Sequence, residues 1–204
     1  MNKNKISKLE DYTVKARKII LERYFPDSCV LSTAVTIELC KKLGIKGVEP
    51  LSCTVVAYNP ELTEKMKEKG RFITEQDEFN DAEYSVGVGF IEGKHNGLKG
   101  WGGHLIAVGK DFLVDLSLDQ ASRPERGMNF TPLLWLAETS KDRQRLKDFI
   151  HGDINLIVML ENGCTLSYHR IELDHTVSPD WINKDRRIDI VKKVLDNNNY
   201  NYLP

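Results

Sequence analysis

The stretch FPDSCVLSTAVTIELCKKLGI, Phe25 to Ile45, constrains this chain more than any other. Val30, Leu31, Ala34, Val35, Ile37 and Leu39 form a wide apolar stripe at helical spacing, and Gly44 is placed to end the helix at its C′ position. Asp27 or Ser28 can serve as the N-cap, and Lys41 and Lys42 complement the dipole in the last turn. A helix this apolar is expected at the centre of the fold. Burial explains the stripe but not why a cysteine begins it. With Ser28 as the cap, Cys29 takes the first helical position, where unpaired amides and the dipole favour negative charge on sulfur and raise the thiolate fraction. Amides of the same turn can also donate to a developing oxyanion.

The rest of the chain supplies partners for such a helix. DYTVKARKIILERYF reads as an amphipathic first helix, with Val14, Ala16, Ile19, Ile20 and Tyr24 on one side and a stop at Pro26. VEPLSCTVVAYN is rich in β-branched residues and reads as a strand; EYSVGVGF reads as another. Between them the charged segment 61–83 offers a short helix and a loop. After the glycine-rich EGKHNGLKGWGG, the stretch HLIAVGKDFLVDLSL predicts a β-hairpin turning around Gly109, Lys110 and Asp111. DQASRPERGMNFTPLLWLAETS reads as a loop with one helical turn, and INLIVMLENGCTLSYHRIEL as a second hairpin turning at Asn162-Gly163. Ser178 and Pro179 then start a last helix lined by Trp181, Ile182, Ile188, Val191 and Leu195. Helices first, hairpin-joined strands next and a closing helix predict an α+β domain, 1–204, with an antiparallel sheet.

Composition narrows the class of partner. The 204 residues carry 29 basic and 30 acidic side chains, a formal charge of −1, which points to neither nucleic acid nor a membrane surface. The start has no secretory apolar segment, and LIVML (Leu156–Leu160) is too short to cross a bilayer. Cys29, Cys40, Cys53 and Cys164 form no CxxC pair, which with that start predicts reduced thiols in a cytoplasmic protein.

The chemistry turns on GWGGHLIAVGKDFLVDLSLDQ. His104 opens one arm of the hairpin and Asp115 lies in the returning arm, close to opposite it if the turn centres near Lys110. A carboxylate there can accept from one imidazole nitrogen and leave the other to serve a thiol. Asp115 also interrupts an otherwise apolar strand, where an unpaired carboxylate would be costly. Cysteine at a helix start, then histidine on a strand, then aspartate on the next resembles the transglutaminase-like branch of the papain-like cysteine enzymes. The GHLIAVGKDFLVDLSLDQ segment is similar to the histidine–aspartate hairpin of arylamine N-acetyltransferases. The resemblance covers about residues 17–45 and 84–120. It implies a papain-like fold with a nucleophile-bearing central helix packed on an antiparallel sheet. Within it Cys29 would be the nucleophile, His104 the base and Asp115 its orienting acid. The acetyltransferase Arg-Gly-Gly-x-Cys sequence is absent, so the superfamily is implied rather than one activity.

The expected function is acyl transfer, or hydrolysis of an amide or thioester, on a peptide or small-molecule substrate, without a cofactor. A non-catalytic binding or regulatory module on the same fold is the alternative, as is a scaffold acting through segment 61–83. Trp101 and Gly103 are candidates for a wall of the substrate site, because glycines permit close backbone approach, and Gln120 for a substrate or oxyanion contact. Cys40 lies about 16 Å further along the helix than Cys29 and reads as structural. Cys53 reads as core. Cys164, His169, Asp174 and His175 match no closed zinc spacing, so no metal site is expected there.

Overall fold

The computed structural model describes residues 3–24, 28–74, 76–89 and 102–196. Helices α1 (Lys3–Arg23) and α2 (Cys29–Lys42) come first, followed by β1 (Glu49–Tyr58), α3 (Pro60–Lys69) and β2 (Ser85–Val88). Next come β3 (His104–Gly109), β4 (Phe112–Asp115), β5 (Leu133–Leu136), α4 (Ser140–His151), β6 (Leu156–Met159) and β7 (Thr165–Arg170). Helices α5 (Pro179–Ile182) and α6 (Lys184–Asp196) close the order. The expected turn at FPDS, with Pro26 and Asp27, lies outside the described residues, as do most of the glycine-rich connection with His95 and Trp101 and the asparagine tail.

The seven strands form one antiparallel sheet in the order β5-β4-β3-β1-β7-β6, with β2 also on β1. Strand β1 is the organiser. One edge pairs with β7, while the other is shared, β3 taking Glu49–Cys53 and β2 taking Val55–Tyr58. The chain therefore leaves β2 and re-enters β3 at one seam beside the middle of β1. Side chains alternate across the sheet. Ala107, Phe112 and Val114 face a helical layer built from Leu9, Ala16, Ile20, Leu31, Val35, Leu39 and Val194. Cys53, Val55, Ile106, Leu113, Leu166 and Tyr168 face the other way, against Leu146 and Phe149 of α4.

Helix α2 is buried on nearly every side, from Cys29 to Ile37 and again at Leu39 and Cys40. Thr33 donates its hydroxyl to the Leu105 carbonyl (2.7 Å), fixing the helix against β3. The Ile45 amide reaches back to the Cys40 carbonyl (2.8 Å) while Gly44 adopts φ 65°, so the expected glycine stop is present.

Several expectations are corrected. Helix α1 begins at Lys3, well before Asp11, and buries Leu9, Thr13, Ala16, Arg17 and Ile20, while Val14 is half exposed. The last helix breaks at Asn183, whose side chain accepts from the Arg186 amide (3.4 Å) and so begins α6. Ile182 and Ile188 consequently face solvent, and Ile190, Val191 and Val194 are the buried residues of α6. The segment read as a loop also contains β5, and α4 follows it. The signal for α4 is a capping box: Thr139 accepts from the Asp142 amide (3.1 Å), and the Asp142 carboxylate accepts from the Thr139 amide (3.3 Å). No helix among the described residues is long and apolar enough to cross a membrane.

Removing the α4 cap with Thr139→Ala is expected to lower unfolding stability by about 1 kcal/mol. The check is the urea midpoint at constant m-value.

Candidate active site

Cys29 stands at the first position of α2, as expected, with Ser28 as the N-cap residue. The Ser28 side chain makes no capping bond to the helix; its hydroxyl accepts instead from Arg17 Nη1 (3.1 Å). The first-turn amides of α2 are thus left without that side-chain partner. Cys29 Sγ lies 3.8 Å from the Gly103 carbonyl oxygen, at the entry to β3.

His104 follows directly. Its backbone is opposite Cys53 of β1, and its ring is fully buried. The β3–β4 register pairs Ala107 with Val114 and Gly109 with Phe112, which offsets Asp115 from His104 by two residues along one face. That corrects the expectation of direct opposition. The diagonal is within reach of an imidazole and a carboxylate, and His104 Nε2 lies 2.8 Å from Asp115 Oδ2. Asp115, with no exposure, also accepts from the Tyr168 hydroxyl (3.0 Å) and the Ser117 amide (3.2 Å).

Burial disfavours the charged imidazolium, but the charge and hydrogen bond of Asp115, followed by Cys29, outweigh it. Together they raise the His104 pKa from 6.5 to about 10. Nδ1, the ring nitrogen not used by Asp115, is shielded from solvent and has no aligned partner among the described residues. Cys29 is close enough to act on the ring as a hydrogen-bonding group, while its sulfur is aligned on the Gly103 carbonyl.

Two glycines serve the histidine. Gly103 contributes its carbonyl to Cys29. Gly89, leaving β2 at φ 77°, passes so close to the seam that a Cβ on it would lie 2.4 Å from the His104 nitrogen. Arg17 ties the site to α1. Its guanidinium, with a side-chain exposure of 3%, holds Asp119 by Nε (2.9 Å) and Nη2 (2.8 Å) and also reaches Ser28 and Ser32. One cation thus links the start of the cysteine helix to the turn after Asp115.

The other candidates separate. Trp101 lies outside the described residues. Gln120 sits in a short turn packed against β2, its side-chain nitrogen shielded from solvent and unpartnered among the described residues. Arg123 donates to the Gln120 and Ser122 carbonyls and Arg126 to that of Asp81, so both secure loops. Cys40 is core, its thiol pushed up to about 12 by burial. Cys53 is also buried but abuts the site, where burial, then Asp115 and Cys29, hold its thiol well above the ordinary range. Cys164 is buried near the second hairpin turn, His169 meets the Ser167 hydroxyl (3.0 Å), and His175 stacks on Trp181. In segment 61–83 many charges pair among themselves: Asp77 binds Arg71, Lys69 and the Thr74 amide, and Lys65 binds Glu83.

Sequence reasoning missed Tyr168 and Arg17. An arginine at the buried spacing of α1, between Thr13 and Ile20, was the available signal for one. Tyr168 carried none, because an aromatic in an alternating strand looks like core.

Compared with known proteins, the chain matches no family model, no curated protein and no solved structure.

The raised His104 pKa has a thermodynamic consequence. A histidine raised on folding contributes stability that is complete below its unfolded pKa of about 6.5 and is lost as pH climbs toward its folded value. The urea midpoint of the wild type should therefore fall between pH 6.5 and about 10, and His104→Gln should flatten that fall. Parallel denaturation series at pH 6 and pH 9.5 provide the measurement.

Proposed function

We propose that the protein is a cysteine-dependent acyltransferase or hydrolase of the transglutaminase-like, papain-like kind, working through Cys29, His104 and Asp115. The observation carrying this reading is a helix-start thiol held on the Gly103 carbonyl, directly before a buried imidazole that is itself bonded to a buried carboxylate. Such a chain supplies a nucleophile, a proton acceptor and the group that orients the acceptor.

In the first half-reaction His104, its pKa raised to about 10, already holds the Cys29 proton on Nδ1, and the sulfur so freed bonds to the acyl carbon. Amides of the first α2 turn stabilise the oxyanion. The imidazolium then gives that proton to the departing amine, alcohol or thiol as its bond to carbon breaks. In the second half-reaction water or an amine attacks the thioester, His104 takes its proton, and sulfur leaves with that proton held on the imidazole, which restores the starting pair. Asp115 keeps Nε2 occupied throughout. The reaction needs no cofactor, and it needs a free Cys29, which fits a reducing, cytoplasmic setting. Segment 61–83 is a poorer candidate for the working surface, because many of its charges are already paired with one another.

Iodoacetamide labelling with residue mapping tests the reading. Cys29 should react faster than Cys40, Cys53 and Cys164, whose thiols burial pushes up. His104→Ala should slow it by about a hundredfold. Equal rates at Cys29 and Cys40, or no effect of the histidine substitution, would sink the proposal.

A further inference from the structure

A thioacyl group on Cys29 has to lie against whatever surrounds that sulfur. The buried apolar residues clustered with Cys29 are Val30 and Leu105. The partly buried side chain packed on this trio is Trp181, from the short α5 that abuts α2. Its ring is held rather than loose. His175 meets it edge-on with centroids 4.3 Å apart, and the Arg187 guanidinium lies 5.8 Å from its centroid. Ser178 and Pro179 start α5, and Asn183 ends it, so Trp181 sits on a four-residue turn fixed at both ends. Val177 and Ile182, on either side of Trp181 in sequence, are 65% and 64% exposed.

We infer that Trp181 forms one wall of the acyl-binding subsite and that the acyl group it accepts is apolar. The inference rests on the proposed role of Cys29. Three physical points favour it. An indole face gives a large apolar area to a group held beside it, at little cost in side-chain freedom. Val30 and Leu105, clustered with Cys29, present apolar side chains to an acyl group. The break at Asn183 also turns what would be a continuous helix into a separate turn, α5, which abuts α2 and carries Trp181 onto the cluster that holds Cys29.

The experiment compares two alkylating probes, iodoacetamide and N-benzyl iodoacetamide, on the full chain. Each acts by one step: Cys29 sulfur bonds to the methylene carbon, iodide leaves, and the sulfur's former proton stays on His104. Rates at Cys29 are divided by rates with N-acetylcysteine, which removes intrinsic reactivity. The wild type should prefer the benzyl probe by about tenfold, the scale expected for partial burial of one aryl group. Trp181→Leu should remove most of that preference and Trp181→Phe should keep most of it, with far-UV circular dichroism establishing that both variants are folded. Fast Cys29 labelling with no benzyl preference, or with a preference that Trp181→Leu leaves intact, overturns the subsite alone. Cys29 labelling no faster than that of Cys40 with either probe overturns both the subsite and the catalytic reading.

Discussion

A carboxylate with no solvent exposure has to be paid for by its neighbours, and at Asp115 three elements contribute. His104 comes from β3, Tyr168 from β7 and the Ser117 amide from the turn after β4. Leaving such a group unpaired costs several kcal/mol, so these partners are obligatory. Their requirement fixes register as well as composition. A slip of one residue between β3 and β4 would send Asp115 to the helical face, among Phe112 and Val114. The sheet order, with β1 between β3 and β7, is what brings the tyrosine within 3.0 Å of the same oxygen as the histidine.

The cysteine helix is joined to this network from the other face of the sheet. Thr33 anchors it to the Leu105 carbonyl, and Arg17 anchors its first turn to the Asp119 turn. Both ties are buried or nearly so, where competing water is scarce and the geometry is held tightly. The seam between β2 and β3 supplies the remaining constraint. Gly89 is needed there because any side chain would strike the backbone of His104. A rigid sheet, a clamped helix and a glycine seam thus meet at one point, and that point carries the thiol.

Local pattern made much of this legible. The α+β class, the antiparallel pairing, the first hairpin and the cap residue before Cys29 follow from alternation, turn chemistry and capping preferences. The conjunction of His104 and Asp115 was readable because a charged residue interrupted an apolar strand. Where the reading failed, local pattern had a competitor. A single C-terminal helix was expected from its apolar spacing, yet Asn183 supplies its own cap and restarts the helix, which reverses the exposure of Ile182 and Ile188. The polar run after β5 hid α4, whose capping box is a better marker than its hydrophobicity.

By itself the sequence determined which residues had to be inside and which could bear charge there, because helical and strand periods assign faces before any tertiary contact exists. Only the tertiary structure decided the diagonal pairing of His104 with Asp115, the third donor from Tyr168, the guanidinium clamp of Arg17 and the packing of Trp181 on the cluster of Cys29, Val30 and Leu105. Those contacts join elements far apart in the chain. Their partners are selected by sheet order and helix packing, which no short window of residues encodes.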